Sequence, residues 1–80
     1  NGGPALGNFE RVSCILSLYP SLKPSSKTVV AMVYMLKQLD AALWMLNQGY
    51  EGKVEGFGKR MLDVSVYAKL ITILKEEEES

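Results

Sequence analysis

The sequence predicts an all-α domain, a small antiparallel bundle of three main helices with a possible short fourth over residues 50–57. Three observations point there. Apolar residues recur at steps of three and four through three separate stretches, which is the period of one helical face. Residues that end helices, Pro20 and Gly49, follow the first two stretches. No internal repeat of about 20–50 residues marks a solenoid, so three helices on short links are expected to lie antiparallel.

The first helix is expected over residues 9–19. Phe9, Val12, Ile15, Leu16 and Tyr19 share one face, Glu10, Ser13 and Ser17 lie off it, and Asn8 is placed to cap the first turn. Pro20 cannot continue the ladder. The link over residues 20–26 holds two prolines and three serines, reads as a stiff loop, and offers Leu22 as a peg onto the core.

The second helix is expected over residues 27–48, capped by Ser25 or Ser26 and stopped by a left-handed Gly49. Met32, Leu36, Leu39, Leu43 and Leu46 follow a heptad seam, widened by Ala31, Met35 and Ala42. The back of the same helix carries a second stripe of Val30, Val33, Tyr34, Ala41, Trp44 and Met45, broken by Lys37 and Gln38. A surface helix of a monomer normally shows one apolar face, so this helix is either central or shared with a partner. The run from Val29 to Leu36 also fits a buried strand. The unbroken three/four spacing through Leu46 favours helix.

Residues 49–58 hold four glycines and read as a connector, with Gly52 and Gly56 spaced to admit a close neighbour. The third helix is expected over residues 59–75. Leu62, Val66, Leu70 and Ile73 make one row and Tyr67, Ile71 and Leu74 lie beside it. Ser65, Lys69, Thr72 and Glu76 lie opposite. Asp63 falls within the apolar arc, near the expected helix start, where it faces the positive end of the dipole. Four consecutive glutamates then oppose the dipole, so fraying is expected after Lys75. The organisation is a flexible segment 1–7, a helical domain 8–75 and an acidic tail 76–80, an acidic tether or solvated end.

Composition narrows the function classes. Nine basic and nine acidic residues balance, so nothing draws the chain strongly to nucleic acid or anionic lipid. The balance is uneven along the chain: residues 1–40 carry four basic and two acidic residues, residues 41–80 five and seven. The one cysteine, Cys14, forms no intrachain disulfide, reads as a small core residue, and suits a reducing, intracellular compartment. There is no histidine, hence no commonest general base or metal ligand. Residues 28–46 are the best candidate for a membrane span, but Lys37, Gln38 and Asp40 sit near the middle, so no span is expected.

No phosphate loop, dinucleotide fingerprint or zinc spacing is present. Glu51 and Glu55 are four apart, in a glycine-rich stretch that gives no dry cleft for acid–base work. Lys53, Lys59 and Arg60 make the only basic cluster, with acidic residues among them. Acyl-carrier domains share this length and class, but the second helix opens Ser25-Ser26-Lys27-Thr28, without the aspartate that precedes their attachment serine.

The expectation is a non-enzymatic helical protein–protein interaction domain with no cofactor or metal, self-associating as a homodimer through its long central helix. The interface candidates are Met32, Leu36, Leu39, Leu43 and Leu46, with Val33 and Trp44 on the back stripe. The alternatives are a docking or scaffold module that binds a partner helix, and a small carrier of lipid or another apolar ligand.

Overall fold

The computed structural model describes residues 6–49 and 54–80. Three helices make up most of them: α1 (Gly7–Ser17), α2 (Lys27–Gln48) and α3 (Val54–Glu79). No strand occurs among the described residues, so the domain is all-α and the strand alternative for Val29–Leu36 is set aside.

α2 has the expected bounds because both of its ends are fixed locally. Ser26 is extended (φ −72°, ψ 127°), and its hydroxyl accepts from the Val29 N–H at 3.3 Å. Gly49 takes the left-handed conformation (φ 72°, ψ 36°), and its N–H bonds back to the Leu46 carbonyl at 3.1 Å. A side chain at Gly49 would be strained there.

α1 starts two residues earlier than expected. Leu6 stands at the N-cap with no side-chain hydrogen bond, so Asn8 is not the cap. Asn8 lies within the helix and lines a crevice with Lys37, Gln38, Ala41 and Arg60. The helix ends at Ser17, short of Tyr19, whose N–H closes a tight turn onto the Leu16 carbonyl at 3.0 Å. Cys14 is exposed, not in the core. Two residues advance a helix by about 200°, so Cys14 points almost opposite to the buried Val12. Leu22 is also exposed and does not peg the link into a core.

α3 overruns its expected bounds at both ends. Residues 54–57 are its first turn, not a separate short helix; residues 50–53 lie outside the described residues. Gly56 and Gly58 are helical despite their low propensity. An ideal Cβ at Gly56 would lie 3.7 Å from Met45 Cε, so this glycine packs beside the α2 side chain. Asp63 is therefore well inside the helix and not at its positive end, and it is half-buried. At the other end the helix continues through the glutamates to Glu79 instead of fraying after Lys75.

α2 is the central element. It packs against α1 and against α3, while α1 and α3 have no backbone contact among the described residues. As α2 numbers rise, their α3 partners fall. Thr28 meets Glu78, the Tyr34 and Tyr67 rings meet edge to face at 6.1 Å, Gln38 accepts from Arg60 at 3.0 Å, and Met45 lies beside Gly56. The result is a slab of 45 × 24 × 16 Å, close to one helix layer thick. Its radius of gyration is 13.9 Å, where a compact 80-residue domain has about 11.6 Å.

The core is correspondingly small. Among the described hydrophobic residues only Val12, Ala41, Ala42 and Met45 are buried, and two of them are alanines.

Candidate interaction surface

The helical pitch of α2 divides its circumference among three environments. Asp40, Val33 and Trp44 project within about 40° of one another, toward α1. Arg11 of α1 grips Asp40 with two parallel bonds, Nε to Oδ1 at 2.6 Å and Nη2 to Oδ2 at 2.9 Å. The same guanidinium lies 4.7 Å from the centroid of the Trp44 ring. Lys37 reaches over Phe9 at 5.6 Å. The bonds to Asp40 hold the Arg11 pKa above its ordinary value, against the opposing effect of desolvation. Ala41, Ala42, Met45 and Gln38 project toward α3.

The third environment is open. Met32, Leu36, Leu39, Leu43 and Leu46 fall within about 80° of one another around the helix. Leu36 and Leu39 are half-buried at the edge of the packing. Met32 is 40% exposed, Leu43 65% and Leu46 63%. The two apolar stripes are thus brought to different fates. α1 covers Trp44 and Val33, both half-buried, and leaves Val30 and Tyr34 of the same stripe exposed, whereas the seam is open at Met32, Leu43 and Leu46.

A groove of about 290 Å³ runs along the first half of this open face. The link and the end of α1 supply its outer wall through Ile15 and Leu22; Met32 and Leu36 supply the α2 wall. On the other broad side, Val30 and Tyr34 of α2 and Leu70 and Ile73 of α3 line a second apolar groove. The α3 row Leu62, Val66, Leu70 and Ile73 is exposed along its length, while Tyr67, Ile71 and Leu74 are half-buried.

Polar chemistry is sparse. Among the described residues no three of His, Cys, Asp and Glu come together as metal ligands. Of the basic cluster, Arg60 is half-buried and bonded to Gln38, Lys59 is exposed, and Lys53 lies outside the described residues. Glu51, of the candidate carboxylate pair, also lies outside them.

Sequence reasoning missed the Arg11–Asp40 pair and also a polar contact at the far end of α3. Glu78 accepts from the Ser26 hydroxyl at 2.8 Å, the Thr28 hydroxyl at 2.9 Å and the Thr28 N–H at 3.4 Å. It thereby caps α2 from another helix, at the positive end of the α2 dipole. These partners are about fifty residues away in sequence, and no local pattern announces them.

α2 is also long and apolar enough to cross a membrane by length and composition, with 22 residues that include an 18-residue stretch of mean hydropathy 1.4. No family profile matches this chain, and no curated protein or solved structure matches it either.

Proposed function

We infer that this chain is a non-enzymatic helical interaction domain, an antiparallel bundle that completes its core by self-association through the open face of α2. The observation that carries this reading is the exposure of the heptad seam on the central helix. A seam of this kind is ordinarily buried against another helix, and neither α1 nor α3 covers its Met32, Leu43 and Leu46.

The exposed area supports the same reading. The chain exposes 5982 Å², where a compact monomer of 8.9 kDa exposes about 4,800 Å². The excess, about 1,200 Å², is spread over the whole surface, the exposed α3 row included, and is larger than the roughly 800 Å² that each partner contributes to a standard interface. Two-fold pairing counts every seam side chain twice. Each contributes about 1.5–3 kcal/mol when fully buried, and association costs about 4–15 kcal/mol. The seam residues are already partly buried, so roughly half of that energy, about 7–15 kcal/mol over the ten side chains, is gained on pairing; it is of the same order as the cost and gives a dimer whose population depends on concentration.

The hydropathy of α2 does not by itself argue for a bilayer. Lys37 and Asp40 sit mid-helix, and Asp40 is held by Arg11 of α1. Central charges cost about 2.5–3.5 kcal/mol each on insertion scales.

The test is light scattering coupled to size exclusion across about a hundredfold in concentration, the scale over which a free-energy shift of about 2.7 kcal/mol registers. A mass of twice 8.9 kDa at the upper end supports the reading. The variant Leu43→Glu with Leu46→Glu, at sites exposed in the isolated chain, is expected to remain helical and monomeric. A parent chain that is monomeric at every concentration overturns self-association.

A further inference from the structure

We propose that the two copies pair with their α2 helices antiparallel about Leu39, so that Leu43 and Leu46 of each copy fill the groove beside Met32 and Leu36 of the other. The proposal rests on the self-association reading and adds the register and polarity of the contact.

The argument begins with an asymmetry along the open face. Its first half is concave: Met32 and Leu36 face Ile15 and Leu22 across the groove. Its second half has no such flanking wall, and Leu43 and Leu46 are the most exposed residues of the seam. A knob needs a hole, and each copy carries one of each at opposite ends of the same helix.

Only one polarity satisfies both. In a parallel pair, knob meets knob and groove meets groove, leaving apolar voids that forfeit contact energy. In an antiparallel pair, each knob meets a groove. The spacing also fits a two-fold axis. Met32 and Leu46 lie seven residues either side of Leu39, and the means of the groove and knob positions lie about 8 Å either side of it along the helix. Antiparallel α2 helices also set their dipoles in opposition, which is the favourable sense.

The groove suits this occupant by size. At about 290 Å³ and open along one side, it falls at the lower edge of the roughly 300–1,000 Å³ of small-molecule sites. Its walls are almost wholly apolar, with no convergent polar groups to orient a ligand. That chemistry matches leucine side chains of a second copy better than a polar-headed lipid.

The experiment uses the full chain carrying Cys14→Ser, which removes the exposed native thiol. Met32→Cys and Leu46→Cys are introduced into separate chains, mixed, and treated with a short bismaleimide at a concentration where light scattering reports dimer. The expected product is a 32-to-46 cross-link between unlike chains, with loss of both like-to-like products. A second mixture, Leu36→Cys with Leu43→Cys, is expected to give the 36-to-43 link. Dominant 32-to-32 and 46-to-46 products overturn the antiparallel register and leave self-association standing. A dimer that gives no cross-link at any of the four positions overturns the register and the seam together. A monomer by light scattering in the same samples overturns the underlying reading.

Discussion

Glu78, in the last turn of α3, accepts a 2.8 Å hydrogen bond from the hydroxyl of Ser26, 52 residues earlier in the chain. That hydroxyl simultaneously accepts from the Val29 N–H, so one serine both caps α2 and ties α3 to it. A hydroxyl has one donor and two acceptor positions, and both kinds are used. The acidic end of the chain is thereby part of the fold.

The carboxyl of Glu78 is held below its ordinary value of 4.5, first by the Ser26 hydroxyl and next by that of Thr28, with desolvation opposing. A carboxylate depressed in the folded state contributes stability that is complete above its unfolded value. That contribution is lost as pH falls through the folded value. Glu78→Gln is therefore expected to lower the melting temperature at pH 7, and the gap to the parent should close as pH falls below 4.5. Ser26→Ala removes the cap itself and is expected to cost about 1 kcal/mol. Thermal melts followed by circular dichroism across pH check both; a pH-independent gap for Glu78→Gln would remove the clasp.

The pairing of Arg11 with Asp40 fixes α1 over the back stripe of α2, and Trp44 reports on it. Trp44 is the only tryptophan, and the guanidinium covers its ring. Asp40→Ala is expected to release Arg11, loosen α1 and shift Trp44 emission to longer wavelength. Arg11→Lys should do nearly the same, because an ammonium cannot supply the two parallel bonds. Unchanged emission in both variants would place the docking energy of α1 elsewhere.

Three glycines separate conformation from packing. Gly49 requires its positive φ of 72°, so Gly49→Ala is expected to destabilise by about 1–2 kcal/mol. Gly58 has nothing within 4 Å of an added Cβ, and Gly56 has only Met45 Cε at 3.7 Å, an ordinary contact. Both sit inside a helix, so alanine at either is expected to stabilise by about 0.5–1 kcal/mol. Urea unfolding of the three variants measures the contrast. A destabilised Gly56→Ala would mean that Met45 cannot yield there.

What the sequence made legible follows the range of the interactions involved. α2 is read to the residue because Ser26 and Gly49 act on their own helix ends. α1 is misplaced at its start because no side chain caps it. α3 is underestimated at both ends because what extends it lies on α2: Met45 beside Gly56, and Ser26 and Thr28 on Glu78. The two stripes of α2 are likewise visible from pitch alone. Which of them is covered depends on where α1 docks, and that is set by Arg11 meeting Asp40 across 29 residues.

The same division gives a prediction about concentration. In a chain whose core is complete, the melting temperature is independent of protein concentration. In one that shares its core, association with the folded state raises it by mass action. The melting temperature of the parent is therefore expected to climb with concentration. Leu43→Glu with Leu46→Glu should abolish that slope while leaving the low-concentration value nearly intact, because both side chains are already some two-thirds exposed in the isolated chain. Leu39→Asp should behave differently. Leu39 is half-buried beside the core, so a carboxylate there is expected to unfold or dissociate the domain even at low concentration. Val33→Asp, on the stripe beneath α1, should lower stability at every concentration and leave the slope unchanged. Melts of the four chains over a shared concentration series read all of these outcomes. A slope that survives the seam pair and vanishes in Val33→Asp would move the shared surface to the α1-facing side of α2.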